Sequence, residues 1–150
     1  MRTLACALLG ALTCAPALAA DAVQVPLDAT HLASLPRHRV EATIHERALH
    51  CEGVALVDVL RDARAMPTTA LRGADLARVA VVSARDGYRV AFSLGELDAT
   101  LGNRAVYLVD RCDDKPIDEK EGPLRLLVPD DARPARAARQ IDAIRVEAIR

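Results

Sequence analysis

The chain has 150 residues, with 20 Lys and Arg against 21 Asp and Glu, and a formal net charge of −1. No basic excess is available to attract a phosphate backbone, which argues against a nucleic-acid-binding footprint. Tyr88, Phe92 and Tyr107 are the only aromatic residues, so a core must be built from Val, Leu, Ile and Ala.

Residues 1–19 read as a cleavable signal peptide. Arg2 gives a positive start, Leu4 to Leu12 an apolar run, and Ala17-Leu18-Ala19 the small residues before a cut ahead of Ala20. The run is too short and too Ala-rich for a membrane span, and no other segment approaches spanning length. Thr13-Cys14 lacks the small residue that a lipid-anchor site needs before its cysteine, so no stable membrane anchor is expected. Removing these residues takes Arg2 with them and leaves a net charge of −2. Residues 20–150 then read as one domain, large enough for a proper core, in the periplasm or secreted. Cys51 and Cys112 remain in it. In an oxidising compartment they are either a disulfide or two separately buried thiols, because sequence does not give their Cα separation.

In chain order, Ala22–Leu27 reads as a short strand ending at Pro26, and His31–Leu35 as one helical turn. Arg39–His45 alternates as a strand does, with Val40, Ala42 and Ile44 on one face. Gly53–Leu60 opens a helix with Leu56, Val59, Leu60 and Ala63 on one face and Pro67 as its stop. Thr68–Leu76 is turn-like. Val79–Ser83 and Tyr88–Phe92 form a hairpin around Asp86-Gly87. Leu94–Leu101 is a short helix, Ala105–Val109 a strand, and Cys112–Pro116 a loop. Leu124–Val128 is a strand, Arg133–Arg139 a basic turn, and Ile141–Ile149 a last strand. Strands dominate, so the class is α+β with mixed or antiparallel sheets and a few short helices.

Four stretches follow one another in a familiar order: Gly53-Val54-Ala55-Leu56, Asp86-Gly87-Tyr88, Gly122-Pro123-Leu124-Arg125-Leu126-Leu127-Val128-Pro129, and Arg136-Ala137-Ala138-Arg139-Gln140-Ile141. From about Arg39 to Val146 the chain resembles the molybdopterin-binding domain of the sulfite oxidase family, above all its small, exported, stand-alone members. The resemblance implies that fold, in which larger members hold a molybdenum–pterin cofactor. It also implies departures. The family's metal-ligating cysteine follows the strand matched by Arg39–His45 in a Cys-x-Gly setting, where this chain reads Ile44-His45-Glu46-Arg47. The enzymes carry a long pocket-building segment at this point, and here only Arg47–Glu52 separates strand from helix. Ala55 replaces a proline, and Ala137 stands where small relatives have tryptophan. Arg139 falls where cofactor-bearing relatives place a basic residue near the pterin phosphate.

Four constellations carry candidate chemistry. His45, Glu46, His50 and Cys51 are legitimate metal ligands, but the His-Glu-x-x-x-His spacing is one residue too long for a helical zinc site, and a polar loop is expected. Arg125, Arg133, Arg136 and Arg139 offer guanidinium forks to an oxyanion, with Arg125 and Arg139 as the anion-binding pair; the alternative is a solvated basic turn balanced by Asp130, Asp131 and Asp142. The acidic loop Asp110–Asp118 lacks the glycine of a calcium loop and reads as a solvent-facing turn. Cys51 and Cys112 are not a Cys-x-x-Cys pair, so any bridge is structural. No catalytic triad, phosphate loop or paired-carboxylate motif stands out.

The expectation is therefore a binding module rather than an enzyme. It has no molybdenum centre, and its groove takes a small anionic ligand or a partner protein. The alternatives are a molybdopterin-dependent oxidoreductase, or a subunit of one, with non-cysteine ligation, and a structural or interaction domain whose groove side chains fill. An open pocket lined by Arg125 and Arg139 separates the first two from the third. The leader agrees with a cofactor-free chain. It carries one arginine rather than two, as for general secretion of an unfolded chain, whereas molybdenum–pterin enzymes cross the membrane folded.

Overall fold

A computed structural model describes residues 22–149. The signal peptide expected at residues 1–19 lies outside the described residues. The first strand forms as β1 (Val23–Val25). Asp28 then caps α1 (Ala29–Ala33), its side chain accepting a hydrogen bond from the His31 backbone N–H at 3.0 Å. In β2 (Arg37–Ile44), Val40, Ala42 and Ile44 pack on one face, as their alternation predicts.

The next element corrects the sequence reading. Arg47–Glu52 is not a loop and Gly53 does not open a helix. Instead Arg47–Ala55 is strand β3, paired antiparallel with β2 from Arg37↔Val54 to Ile44↔Arg47. The turn is His45-Glu46, both with positive φ (48° and 64°). This is the backbone of a type I′ hairpin, which sequences usually announce with Asn-Gly or Asp-Gly. The helix, α2 (Leu56–Asp62), starts three residues later than expected and buries Leu56, Val59 and Leu60. It ends well before Pro67, where Arg64 takes a positive φ of 55° and the Ala65 and Met66 N–H groups donate back to the Leu60 carbonyl.

A 3₁₀ turn (Gly73–Ala77) leads into β4 (Arg78–Ala84). The Asp86-Gly87 turn forms with Gly87 at φ 85° and returns the chain as β5 (Arg89–Ser93). Ser93 caps α3 (Leu94–Leu97), which is half the expected length. The strand expected to end at Val109 continues as β6 (Tyr107–Cys112), and the expected loop to Pro116 is a tight hairpin. Asp113 and Asp114 (φ 51° and 61°) turn it into β7 (Lys115–Pro116). Strand β8 (Arg125–Leu127), a 3₁₀ turn (Pro134–Arg136) and β9 (Ile141–Ala148) complete the chain.

The strands form two antiparallel sheets of α+β character. One has the order β1-β9-β4-β5; the other has the order β2-β3-β6, with β7 and β8 sharing the far side of β6. The main core lies between them. Ala80, Val82, Phe92, Ile144 and Val146 from the first sheet meet Val54, Leu108 and Leu126 from the second, and α2 and α3 add Leu56, Val59, Leu60, Leu94 and Leu97. The outer face of the second sheet carries a smaller cluster of Val40, Leu49, Cys51, Val109 and Leu127. No helix among the described residues is long and apolar enough to cross a membrane.

Cys51 and Cys112 are disulfide-bonded, which settles the alternative left open by their sequence. They are register partners on β3 and β6, with Cα atoms 4.0 Å apart. A bulge makes this possible. Gly53 pairs with Val109 but Glu52 pairs with Arg111, so Asp110 is skipped. The skipped residue reverses the alternation of β6 and brings Cys112 to the same face as Val109. The two strands are pressed together here: a Cβ on Gly53 would stand 2.0 Å from the Leu108 carbonyl oxygen. Only glycine fits.

Candidate functional site: a cationic groove on the outer sheet face

The inward row Leu124, Leu126, Val128 leaves Arg125 and Leu127 pointing to the outer face of the second sheet. There a groove of about 810 Å³ opens between the two tight hairpins, the 117–122 turn and the segment after the Pro134–Arg136 turn. Its apolar lining includes Ile44, Leu49, Ile117 and Ala137, all members of or packed against the smaller cluster. Its polar lining has five cations, Arg47, Lys115, Lys120, Arg125 and Arg139, against Asp113, Asp118 and Glu121.

The two arginines singled out in sequence come together here through a shared carboxylate. Arg125 Nη1 donates to Glu121 Oε2 at 2.8 Å, and Arg139 Nη1 donates to Glu121 Oε1 at 2.9 Å. Backbone contacts hold all three in place. The Asp118 side chain accepts from the Lys120 and Glu121 N–H groups, both at 3.0 Å, which fixes the turn that presents Glu121. The Leu126 N–H donates to the Ala138 carbonyl and the Gln140 N–H to the Glu121 carbonyl, which seats Arg139 beside them. Burial lowers the pKa of Arg125; Glu121 opposes this, while Arg139 and Arg47 add to it. The exposed Arg139 moves the other way, raised by its hydrogen bond to Glu121.

The other two arginines of the predicted set are elsewhere. Arg136 forms a bidentate pair with Asp131 (2.8 and 2.7 Å), reaches Glu96 Oε1 at 2.9 Å and lies 4.7 Å over the Phe92 ring. These partners hold its pKa above the ordinary arginine value, the Asp131 hydrogen bond being the largest cause. It anchors the turn and does not line the groove. Tyr88 helps from the β4–β5 hairpin, its hydroxyl donating to the Ala135 carbonyl at 2.6 Å. Arg133 is exposed and also lies outside the groove lining.

Of the histidine–cysteine set, His45, Glu46 and His50 line one surface depression with Glu41, and Cys51 does not join them. His45 is at the tip of the β2–β3 turn and lines the groove, while Glu46 beside it does not. His50 is exposed beside Glu41 at 3.5 Å, and Cys51 is bonded to Cys112. Among the described residues, no three His, Cys, Asp or Glu side chains are placed to hold a metal ion together. The acidic loop is consumed by structure. Asp110 takes Arg37 in a bidentate pair (2.8 and 2.6 Å), Asp113 pairs with Arg47 at 3.2 Å, and Asp118 caps its own turn.

Sequence reasoning missed Glu121, Arg47, Lys115 and Lys120. Arg47 opens β3 beside the His45-Glu46 turn, Lys115 follows the Asp113-Asp114 turn, and Lys120 and Glu121 sit on the turn that Asp118 caps. Comparison with family models, with curated proteins and with solved structures finds no match to this chain.

Proposed function

We propose that this chain is an exported binding module with the sulfite oxidase type of molybdopterin-binding fold, without a molybdenum centre, that holds a small anionic ligand at Arg125 and Arg139. One observation carries the reading: an open groove, within the size range of small-molecule sites, has these two guanidiniums converging on one carboxylate position. A domain whose groove is filled by its own side chains would not leave this space. The fold assignment is supported by the order of the four sequence stretches and by two antiparallel sheets with few helices.

The donor set does not fit a molybdenum centre of the family's kind. That centre needs a cysteine thiolate, and Cys51 and Cys112 are bonded to each other. The same disulfide supports export, because such bonds persist in oxidising compartments. Two measurements test the reading. Elemental analysis of protein purified from its native compartment is expected to find no stoichiometric molybdenum; finding it overturns the cofactor-free assignment. Calorimetric titration with inorganic phosphate is expected to show weak binding that the double variant R125Q/R139Q abolishes. Equal binding by wild type and variant removes the groove as the site.

A further inference from the structure

We infer that the groove's ligand is an amphipathic organic anion, and that Glu121 occupies the position of its anionic head until the ligand displaces it. The inference rests on the anion-site reading above and adds the chemistry of the ligand and the role of Glu121.

The Glu121 carboxylate offers one oxygen to each of two arginines, as an external carboxylate, sulfonate or phosphate would. It is an internal counter-ion between the two guanidiniums. It does not satisfy the pair fully. The Arg125 side chain is 11% exposed, and its Nε is buried with no hydrogen-bond partner among the described residues. An unmet buried N–H on a charged group is costly, so Glu121 alone leaves this guanidinium short of a partner. Lys115 and Lys120 line the same groove and make no ion pair among the described residues. Together these cations exceed what Glu121 neutralises.

The apolar lining decides the rest of the molecule. Ile44, Ile117 and Ala137 are only partly covered and extend the apolar cluster into the groove. An inorganic anion would use the arginines and leave this surface wet. A neutral apolar molecule would cover it and leave Glu121 in place. A ligand with an apolar body and an anionic end uses both, gaining burial against the apolar residues and charge-assisted hydrogen bonds from the arginines.

The test uses 8-anilinonaphthalene-1-sulfonate, which has that chemistry, in fluorescence titrations of the folded full chain. Wild type is expected to bind one probe and to gain thermal stability as probe is added. E121Q keeps the side-chain shape and removes the competing charge, so it is expected to bind about tenfold tighter. R139Q and I117N, both at solvent-accessible positions, are each expected to bind more weakly while keeping wild-type far-UV circular dichroism. Weaker binding by E121Q overturns the displacement role. If inorganic sulfate binds as tightly as the probe and I117N changes nothing, the ligand class is wrong while the anion site stands. If R139Q leaves both probe and sulfate affinity unchanged, the inference and the anion-site reading fail together.

Discussion

The two faces of the second sheet are built from adjacent residues and do different work. On the inner face Val54, Leu108 and Leu126 are register partners across three strands and close against the first sheet. On the outer face the same strands offer Gly53, Val109 and Arg125 in one row and Ala55, Tyr107 and Leu127 in the next. The inner face is dry and continuous. The outer face has a small apolar cluster, a disulfide and ion pairs surrounding a groove. The contrast shows how a chain with three aromatic residues combines stability with an open site. Apolar burial is concentrated on one side, and the thinner side is held by a covalent bond and by Arg136.

The largest expected effect tests the covalent part. Replacing Cys51 and Cys112 with serine removes a bond spanning 61 residues and should cost about 4 kcal/mol in urea unfolding. A loss under about 1 kcal/mol would mean that the outer face does not depend on the staple. Next comes the neighbouring pair Leu126 and Leu127, both fully buried but on opposite faces. Leu126→Ala should cost about 4 kcal/mol and Leu127→Ala about 2.5 kcal/mol, because the small cluster can relax toward the groove. Equal costs would erase the distinction between the faces.

Arg136→Met should then cost about 2 kcal/mol, since it leaves Asp131 without its bidentate partner and Glu96 with only Arg104 at 4.0 Å. The acid limb sharpens the same point. Hydrogen bonds from Arg136 hold Asp131 below the usual carboxylate range, and those from Thr100 do so for the nearly buried Asp98. Carboxylates lowered in the folded state contribute fully above about pH 4, and the contribution is lost as pH falls through their folded values. The urea midpoint should therefore drop below pH 4, and D131N should show a lower midpoint at pH 7 with a flatter acid limb. The smallest effect belongs to the exposed pair at the groove rim. Arg47→Gln, which breaks the contact with Asp113, should change stability by less than about 0.5 kcal/mol.

Much of the first sheet was legible because its signals are local. Apolar alternation placed β9, and Asp86-Gly87 announced the β4–β5 hairpin with the one residue that takes φ 85° without strain. The second sheet hid where its turns use unexpected residues. His45-Glu46 and Asp113-Asp114 adopt positive φ without a glycine, so β3 was split between a loop and a helix start. The disulfide could not be read because it depends on skipping Asp110, which alternation alone does not show. Arg125 and Arg139 were singled out for their guanidinium chemistry, and Arg139 also by the resemblance, and the fold brings both to one groove. Glu121 was not: it precedes Gly122-Pro123 in an acidic stretch, and only the folded turn at Asp118 aims it at both arginines.

The order of the first sheet, β1-β9-β4-β5, has a consequence for the timing of folding. Its strand β9 lies between β1 and β4, yet it is the last element to be synthesised among the described residues. Until Ile141–Ala148 has emerged, β1 has no neighbour and the core lacks Ile144 and Val146. The β2–β3 and β4–β5 hairpins are local and pair without β9, whereas the first sheet closes last, because the β1–β9 pairing spans the greatest sequence distance and forms slowly.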